Sequence, residues 1–217
     1  MPKAKRAKIK DKWREKKWVI VEAPPSFGSA PVAYLPLTDP EKAIGRVIET
    51  TLFDLLKQDP QHYVIKLNFQ ITEVVGDHAK SILKGHEYSR EYLRSLIRRG
   101  SSMVSLIHDY VTKDRVEVRV QVVVLAQGRV NSSRKHVIRM IAHEVLNQKA
   151  ANLTYDQFAQ EAVLGKIASD IYNEAKKVTN LRHIGIKKTK FMRQMAPAEA
   201  DVPLEPIVAT RVSSSPS

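Results

Sequence analysis

The stretch VEVRVQVVVLA, residues 116–126, decides the fold. Valine occupies every second position from Val116 to Val124, and charged or polar residues alternate with it as far as Gln121. Because side chains of a strand point alternately to its two faces, this period of two predicts a β-strand. Its first half has one apolar face. Its second half is apolar at every position and is expected to be buried on both faces.

Two predicted hairpins extend from this strand toward the N-terminus. Residues 101–111 precede it across a turn at Lys113-Asp114, which pairs the two segments. Further back, residues 65–72 alternate apolar and polar side chains, and a turn at Gly76-Asp77 leads into a second apolar run at 79–83. We therefore predict mostly antiparallel strands that form a curled sheet or barrel.

The segments around these hairpins predict a strand, a loop and a helix. The strand covers residues 17–22. Five prolines fall within residues 23–40, where they remove backbone donors and fix φ angles, so we predict an extended surface loop without regular structure that lies against a partner. Ser89 is placed to cap a helix over residues 90–99, and Gly100 is expected to end it.

From Ser132 onward the period of the apolar residues changes to 3.6, which is typical of helices. Ser132 or Ser133 is expected to cap the first of two helices. A capping-box spacing at Thr154 precedes the second helix, which covers residues 155–178 and is relaxed or broken near Gly165.

The predicted fold class is α+β. A mostly antiparallel, barrel-like β body with an inserted helix is followed by two longer helices and a basic strand at residues 182–192, with an extended basic N-terminal arm and a flexible C-terminal tail. The expected divisions of the chain are an arm at 1–17, a β-rich domain at 18–127 that includes the Pro-rich loop 23–40, a helical and basic region packed on it at 128–193, and the tail at 194–217.

Composition excludes several classes of protein. With 217 residues, of which 43% are hydrophobic, the chain is able to bury a core. It has no cysteine, which excludes disulfides, thiolate zinc sites, iron–sulfur clusters and a cysteine nucleophile. No apolar run approaches the roughly 18 residues of a membrane helix, and no apolar stretch follows the basic N-terminus. We therefore expect a soluble, intracellular protein without a secretory signal.

The net charge of +13 is concentrated in two segments. Residues 1–17 hold nine Lys or Arg against two acids, and residues 176–193 hold seven and no acid. Like charges at this density repel one another, so they favour a polyanionic partner over a tail that merely keeps the protein soluble. An anionic membrane is a weaker candidate, because the arm lacks an apolar face. We predict nucleic acid.

Cations near predicted helices and aromatic rings extend this prediction. Arg134, Lys135 and Arg139 begin the helix after Ser132, where positive charge opposes the helix dipole unless phosphate binds. Trp13, surrounded by charge, is the best candidate for stacking on an unpaired base. The predicted RNA-binding residues are Lys3, Lys5, Arg6, Lys8, Lys10, Lys12, Trp13, Arg14, Lys16, Lys17, Arg98, Arg99, Arg129, Arg134, Lys135, Arg139, Lys176, Lys177, Arg182, Lys187, Lys188, Lys190 and Arg193.

Catalytic signatures are absent from the sequence. It contains no Gly-rich phosphate loop, nucleophile elbow or paired histidines at zinc spacing. Acid pairs such as Asp54 and Asp59 lie among Lys and Arg, so surface ion pairs explain them better than metal ligation does. Asp109, in a predicted strand, and Glu144 are the acids to test. We expect no enzyme activity, no cofactor and no metal site.

Several stretches resemble one family of proteins. They are Lys17-Trp18 with the following Ala23-Pro24, then IGRVIETTL at 44–52, REYLRSLIRR at 90–99 and AVLGKIASDIY at 162–172. Together they resemble S3Ae, or eS1, the small-subunit ribosomal protein family that archaea and eukaryotes share. The similarity runs from about residue 16 to residue 192, and the chain length resembles archaeal members.

The resemblance implies a cytoplasmic, ribosome-bound structural component without catalytic activity. It implies a place on the platform of the small subunit near the mRNA exit, in contact with ribosomal RNA and neighbouring platform proteins. It leaves contact with mRNA itself open. The acidic Ser/Pro-rich tail after Met195 departs from the family pattern. The alternatives are a free RNA-binding or RNA-processing factor outside the ribosome and an RNA-cleaving enzyme that uses Asp109 or Glu144.

Overall fold

The computed structural model describes residues 13–194, which form one eight-stranded sheet and five α-helices. The strands are β1 (Lys17–Glu22), β2 (Pro31–Leu37), β3 (Val47–Thr51), β4 (Ile65–Val75), β5 (His78–Tyr88), β6 (Met103–Val111), β7 (Val116–Ala126) and β8 (Leu181–Gln194). The helices are α1 (Leu52–Leu56), α2 (Arg90–Leu96), α3 (Ser132–Asn152), α4 (Tyr155–Val163) and α5 (Lys166–Ala175). The predicted α+β class, with a mostly antiparallel sheet, is confirmed.

The sheet branches at β5. One edge of β5 pairs along its length with β4, which carries β3. The other edge pairs in parallel with β1 at residues 78–80 and with β8 at Glu87, which lies opposite Lys188. Beyond them, β2 extends the β1 branch, and β7 and β6 extend the β8 branch. The barrel-like closure that we expected is wrong. Two strands, β1 and β8, share one edge of β5, so the sheet divides into branches there. The branches do not meet again, and β2, β3 and β6 are edge strands.

The β6–β7–β8 branch carries the largest part of the core. Alternate valines from Val116 to Val124 are all buried and pack with helix residues such as Ile138 and Ile171. Leu125, on the opposite face, is also buried, so the predicted burial of both faces at the end of β7 is confirmed. Each such side chain contributes about 1.5–3 kcal/mol relative to exposure. No helix within residues 13–194 is long and apolar enough to cross a membrane.

A buried set of hydrogen bonds, which we call the joint, connects β5 to β8. The backbone N–H of His86 donates to Thr189 Oγ1 at 3.1 Å, and Nε2 of His86 donates to the carbonyl oxygen of Ile186 at 3.1 Å. Nδ1 of the neutral ring then accepts from the Thr189 hydroxyl at 2.8 Å. Burial lowers the pKa of His86 to about 4, although the Ile186 carbonyl opposes this shift. Next to it, Gly85 has φ +153° and lies directly against the Thr189 backbone.

The Pro-rich segment corrects one prediction. Residues 23–40 were expected to lack regular structure, but they contain β2, which pairs antiparallel with β1, and a short 3₁₀ helix at Pro25–Phe27. The sheet tolerates the prolines because β2 is an edge strand, on which one row of backbone N–H groups has no strand to bond. Pro31 begins the strand, and Pro36 lies opposite Trp18.

The helix boundaries also differ from the predictions. Helix α3 begins after Asn131 rather than with a serine cap, and α2 ends at Leu96 rather than at Arg99. The predicted Ser89 cap is confirmed by its hydrogen bond with the α2 backbone. The predicted second helix is two helices, α4 and α5, because Gly165 adopts φ +80°, which confirms the expected break there. The predictions for residues 1–12 and 195–217 concern parts of the chain outside the described residues.

Candidate nucleic-acid interface

Three basic segments meet at one end of the β6–β7–β8 branch. They lie where β6 begins, where β7 ends and where β8 begins, because Met103 pairs with Leu125 and Ala126 pairs with Leu181. The sequence separates these segments by tens of residues. Only the antiparallel register of the three strands brings them together.

Backbone hydrogen bonds fix the segments to one another. The N–H of Ser102, just before β6, donates to the Gly128 carbonyl at 3.0 Å, and the N–H of Val130 donates to Ser102 Oγ at 3.0 Å. The N–H of Gln127 donates to the Asn180 carbonyl, just before β8, at 3.1 Å. The loop between β7 and α3 is therefore tied to both neighbours.

We call this surface the basic end and define it by the Lys and Arg residues of segments 98–102, 127–139 and 176–182. These segments contain nine such residues and no Asp or Glu. Within residues 13–194, Lys177 is the one member with a carboxylate in salt-bridge range, at 2.6 Å from Glu174. The members of the basic end are Arg98, Arg99, Arg129, Arg134, Lys135, Arg139, Lys176, Lys177 and Arg182.

The first turn of α3 concentrates positive charge within the basic end. This turn contains Arg134 and Lys135 and no acidic residue, and the side chain of the N-cap Asn131 makes no capping hydrogen bond. The helix dipole adds partial positive charge at the same place. In the next turn of α3, Arg139 Nε donates to the Ser105 carbonyl at 3.2 Å, which holds the helix against β6. An external anion would stabilise the arrangement.

The remaining predicted residues of β8 lead away from the basic end. Lys188 pairs with Glu87 at 2.7 Å, and Arg193 pairs with Glu117 at 2.8 Å, near the far end of the strand. Lys187 is half-buried and Lys190 is exposed, and within residues 13–194 neither has a carboxylate partner. The structure therefore does not bring the whole of segment 176–193 together in one place.

The arm joins the sheet at β1, which belongs to the branch opposite the basic end. Trp13 is 58% exposed, and Lys16 Nζ lies 4.2 Å from the centre of its ring. Arg14 and Lys17 are exposed at the start of β1. The points where β1 and β8 attach to β5 are about seven residues apart, which is roughly 25 Å along a strand. The arm and the basic end are therefore separate groups of cations.

Two of the acids that we considered for catalysis or metal binding have structural partners, and a third is exposed. Asp109 receives two hydrogen bonds from Arg119, each 2.7 Å long, and these bonds lower the pKa of Asp109. Asp54 belongs to the capping box of α1, and Glu144 is exposed on α3. Within residues 13–194, no group of three His, Asp or Glu side chains is placed to hold a metal ion.

An aromatic groove beside the basic end was missed by sequence reasoning. It consists of two adjoining cavities of about 580 and 490 Å³, which share Tyr88 and Gly165 in their walls. His183 and Arg182 line the larger cavity, and Tyr92 lines the smaller one. The sequence places Tyr92 near arginines, but no sequence signal joins it to His183, which is more than 90 residues away.

The molecule is an open α+β scaffold that gathers Lys and Arg residues at one end, which places it in the class of basic proteins. Within that class, the family model of the Ribosomal S3Ae family matches residues 4–195, and the chain belongs to this family. A protein of Desulfurococcus amylolyticus named small ribosomal subunit protein eS1 is 45% identical over 187 residues, which cover 86% of this chain and 87% of that protein.

Further archaeal relatives agree with this assignment. Proteins of the same name from Saccharolobus islandicus and Saccharolobus solfataricus are 44% identical over 190 residues, which cover 88% of this chain and 91% of each relative. The predicted family is thus confirmed, and the archaeal source of these relatives agrees with the expectation from chain length.

Proposed function

We propose that this protein is a structural constituent of the small ribosomal subunit and binds ribosomal RNA through the basic end. The proposal places it in the cytoplasm, on the platform of the subunit near the mRNA exit, beside neighbouring platform proteins. The names of its relatives support the ribosomal role. The single observation that carries RNA binding is the convergence of nine cations, without an acid in their segments, at one end of the sheet.

The physical basis is the neutralisation of phosphates. Each Lys or Arg that binds a phosphate releases condensed counterions, which gives an affinity that depends steeply on salt and little on base sequence. Eight of the nine cations have no intramolecular carboxylate within residues 13–194, so an RNA backbone would not have to displace one. Recognition should follow the shape of the folded RNA rather than its sequence.

We further propose that the arm makes a second contact with the same RNA. The arm carries nine cations over 17 residues and begins on the other branch of the sheet. Two positive regions on a rigid scaffold increase affinity for an RNA that reaches both, because binding at one raises the local concentration at the other.

Sedimentation tests the ribosomal proposal. We expect the protein to travel with small ribosomal subunits at low salt and to leave them only at high salt. A control wash with a neutral osmolyte at matched osmolality should not release it. A separate pool away from the subunits at low salt would contradict the proposal and favour a free RNA-binding or RNA-processing factor.

Removing residues 1–17 tests the contribution of the arm. If six to nine phosphate contacts are lost, the slope of log K against log salt should shrink by roughly four to eight units on small-subunit RNA. A matched deletion of the acidic tail after residue 195 should leave the slope nearly unchanged. An unchanged slope after loss of the arm would show that it does not bind phosphate.

A further inference from the structure

We propose that the aromatic groove holds one unpaired RNA base, with guanine favoured by the guanidinium of Arg182. This inference deepens the proposed function, since it names the nucleotide feature that the protein would read beside its phosphate contacts. It rests on three observations: the walls of the groove, the unpartnered donors in them, and the arrangement of the rings.

The break between α4 and α5 forms one wall of the groove. Gly165, with φ +80°, ends the first helix and allows the second to begin in a new direction, and Leu164 beside it is exposed. Across the groove lies Tyr88, at the end of β5. The Tyr88 ring lies close to β8, since a Cβ on Gly185 would be only 2.6 Å from the Tyr88 hydroxyl oxygen.

Buried polar atoms in the walls have no partner. Within residues 13–194, four buried side-chain nitrogen or oxygen atoms lack a hydrogen bond, and three of them belong to residues that line the two cavities. They are Arg182 Nη2, His183 Nε2 and His62 Nδ1. An unsatisfied buried donor costs free energy that a bound acceptor would recover. Two of these atoms, on Arg182 and His183, belong to the larger cavity and the third belongs to the smaller one, so both parts of the groove suit a ligand with a polar edge.

The aromatic rings of the groove meet one another edge to face. Tyr88 meets Tyr92 edge to face, with ring centres 5.5 Å apart and planes at 87°, and Tyr92 meets His183 at 6.1 Å and 89°. No ring of this set is stacked face to face on another ring of the described chain. Bases stack on such aromatic faces. Cavities of these sizes fall in the range of ligand pockets.

The protonation states suit a neutral base near the Arg182 cation. Burial raises the pKa of Tyr88 to about 12, with a smaller contribution from Tyr92, so its hydroxyl stays protonated. Burial lowers the pKa of His183, and the charge of Arg182 acts in the same direction. A neutral imidazole offers one donor and one acceptor. The planar guanidinium of Arg182 is able to donate two hydrogen bonds to the O6 and N7 acceptors of guanine.

An RNA hairpin with one bulged guanine tests the groove in the full-length protein. The matched probes are the same stem with a bulged cytosine and the same stem fully paired. We expect the wild type to bind the bulged-guanine stem most tightly. Tyr92→Ala should weaken binding to that stem by about tenfold, which lies within the range measured for base stacking, and should leave the paired stem and the salt slope unchanged.

Two further variants separate stacking from base recognition. Tyr92→Phe keeps the ring and should restore the affinity for the bulged-guanine stem. Arg182→Lys keeps the charge but loses the planar guanidinium, so the preference for guanine over cytosine should disappear at an unchanged salt slope. If Tyr92→Ala unfolds the protein, Asn173→Trp, at an exposed position lining the larger cavity, should block the bulged base instead.

The outcomes distinguish this inference from the proposed function. If the paired stem binds in a salt-dependent way but the bulge adds no affinity, the groove inference is overturned and the phosphate-binding proposal stands. If the bulged stem binds better and neither stem shows a salt slope, the groove stands and the phosphate-binding proposal is overturned. Equal loss of both stems in Tyr92→Ala would also overturn the inference.

Discussion

The joint at His86 and the basic end both involve β8, but the polar groups of the joint are hydrogen-bonded to each other and most of those at the basic end are not paired within the described chain. At the joint, His86 and Thr189 are buried and bonded to each other and to the backbone of β8. At the basic end, around the start of the same strand, eight of the nine cations have no carboxylate partner within residues 13–194, and most of the nine are exposed. This difference separates polar groups that stabilise the fold from polar groups that are available to bind another molecule.

Physical cost explains this contrast. A buried polar group destabilises a protein unless it is hydrogen-bonded, so selection for folding accounts for every bond at the joint. Unpaired cations at the start of α3 slightly destabilise the helix. Folding alone gives no reason to keep them. Changes at the joint should mainly affect stability, changes at the basic end should mainly affect RNA affinity, and a change at a paired surface cation should affect neither.

The largest expected effect comes from Gly85→Ala. A Cβ at Gly85 would lie 2.1 Å from the Thr189 carbonyl oxygen, and φ +153° is unfavourable for alanine, so β5 and β8 must separate. We expect a loss of about 4 kcal/mol or more in the free energy of unfolding, measured by urea titration. Gly28→Ala, at a φ of +82° and with open space around it, is the control and should cost much less. Comparable losses in the two variants would contradict the close-contact explanation.

Acid should weaken the joint next. Because the folded state lowers the pKa of His86 from 6.5 to about 4, the unfolded chain binds more protons between these values. The stabilising contribution is therefore present above pH 6.5 and is lost as pH falls toward 4, by up to about 3 kcal/mol. Unfolding curves across this range measure it.

His86→Gln isolates the contribution of this histidine, since His183 and the carboxylates also titrate. The glutamine keeps a donor and an acceptor but does not ionise. We expect the difference in stability between wild type and variant to depend on pH only below about 6.5. Parallel stability curves for the two proteins would mean that the joint does not sense protons.

Charge reversal at the basic end should affect RNA but not the fold. Arg134→Glu with Lys135→Glu should lower affinity for small-subunit RNA by about 100-fold at low salt, because two attractions become repulsions. The same change places acids at a helix N-terminus, so stability should rise by about 0.5 kcal/mol. Filter binding and urea unfolding measure the two quantities.

The matched control for this charge reversal is Lys80→Glu with Lys42→Glu, two exposed cations far from the basic end in sequence. Each has an acid partner, Glu73 and Asp39 respectively. We expect RNA affinity to fall much less. An equal loss would show that total charge, rather than the basic end, determines binding.

The smallest effect is expected for a cation that is already paired. Lys66 on β4 lies 2.7 Å from Glu49 on β3, and both side chains are largely exposed. Exposed ion pairs contribute little to stability. Lys66→Ala should leave RNA affinity and the unfolding midpoint almost unchanged. A clear loss of RNA binding would mean that paired cations also contact RNA, so that the lack of a carboxylate partner would not distinguish the RNA-binding cations.

Much of the fold could be predicted because it depends on local pattern. The alternation at residues 116–126 predicted a strand buried on both faces at its end, and Ser89 and Thr154 predicted helix starts that the structure confirms. Boundaries were less accurate, since Asn131 rather than a serine precedes α3. The β2 strand was missed because prolines argue against strands everywhere except at an edge, and edges exist only in the assembled sheet.

The family, the α+β class and the two concentrations of charge follow from the order of residues, because period, caps and charge density are local properties of a chain. The convergence of Arg98, Arg129 and Arg182, the partners of Lys188 and Arg193, and the groove beside Tyr92 do not follow from it. They depend on which strands pair and in what register. Pairing across more than a hundred residues is decided by the packing of the whole sheet, and the sequence of a single segment does not determine it.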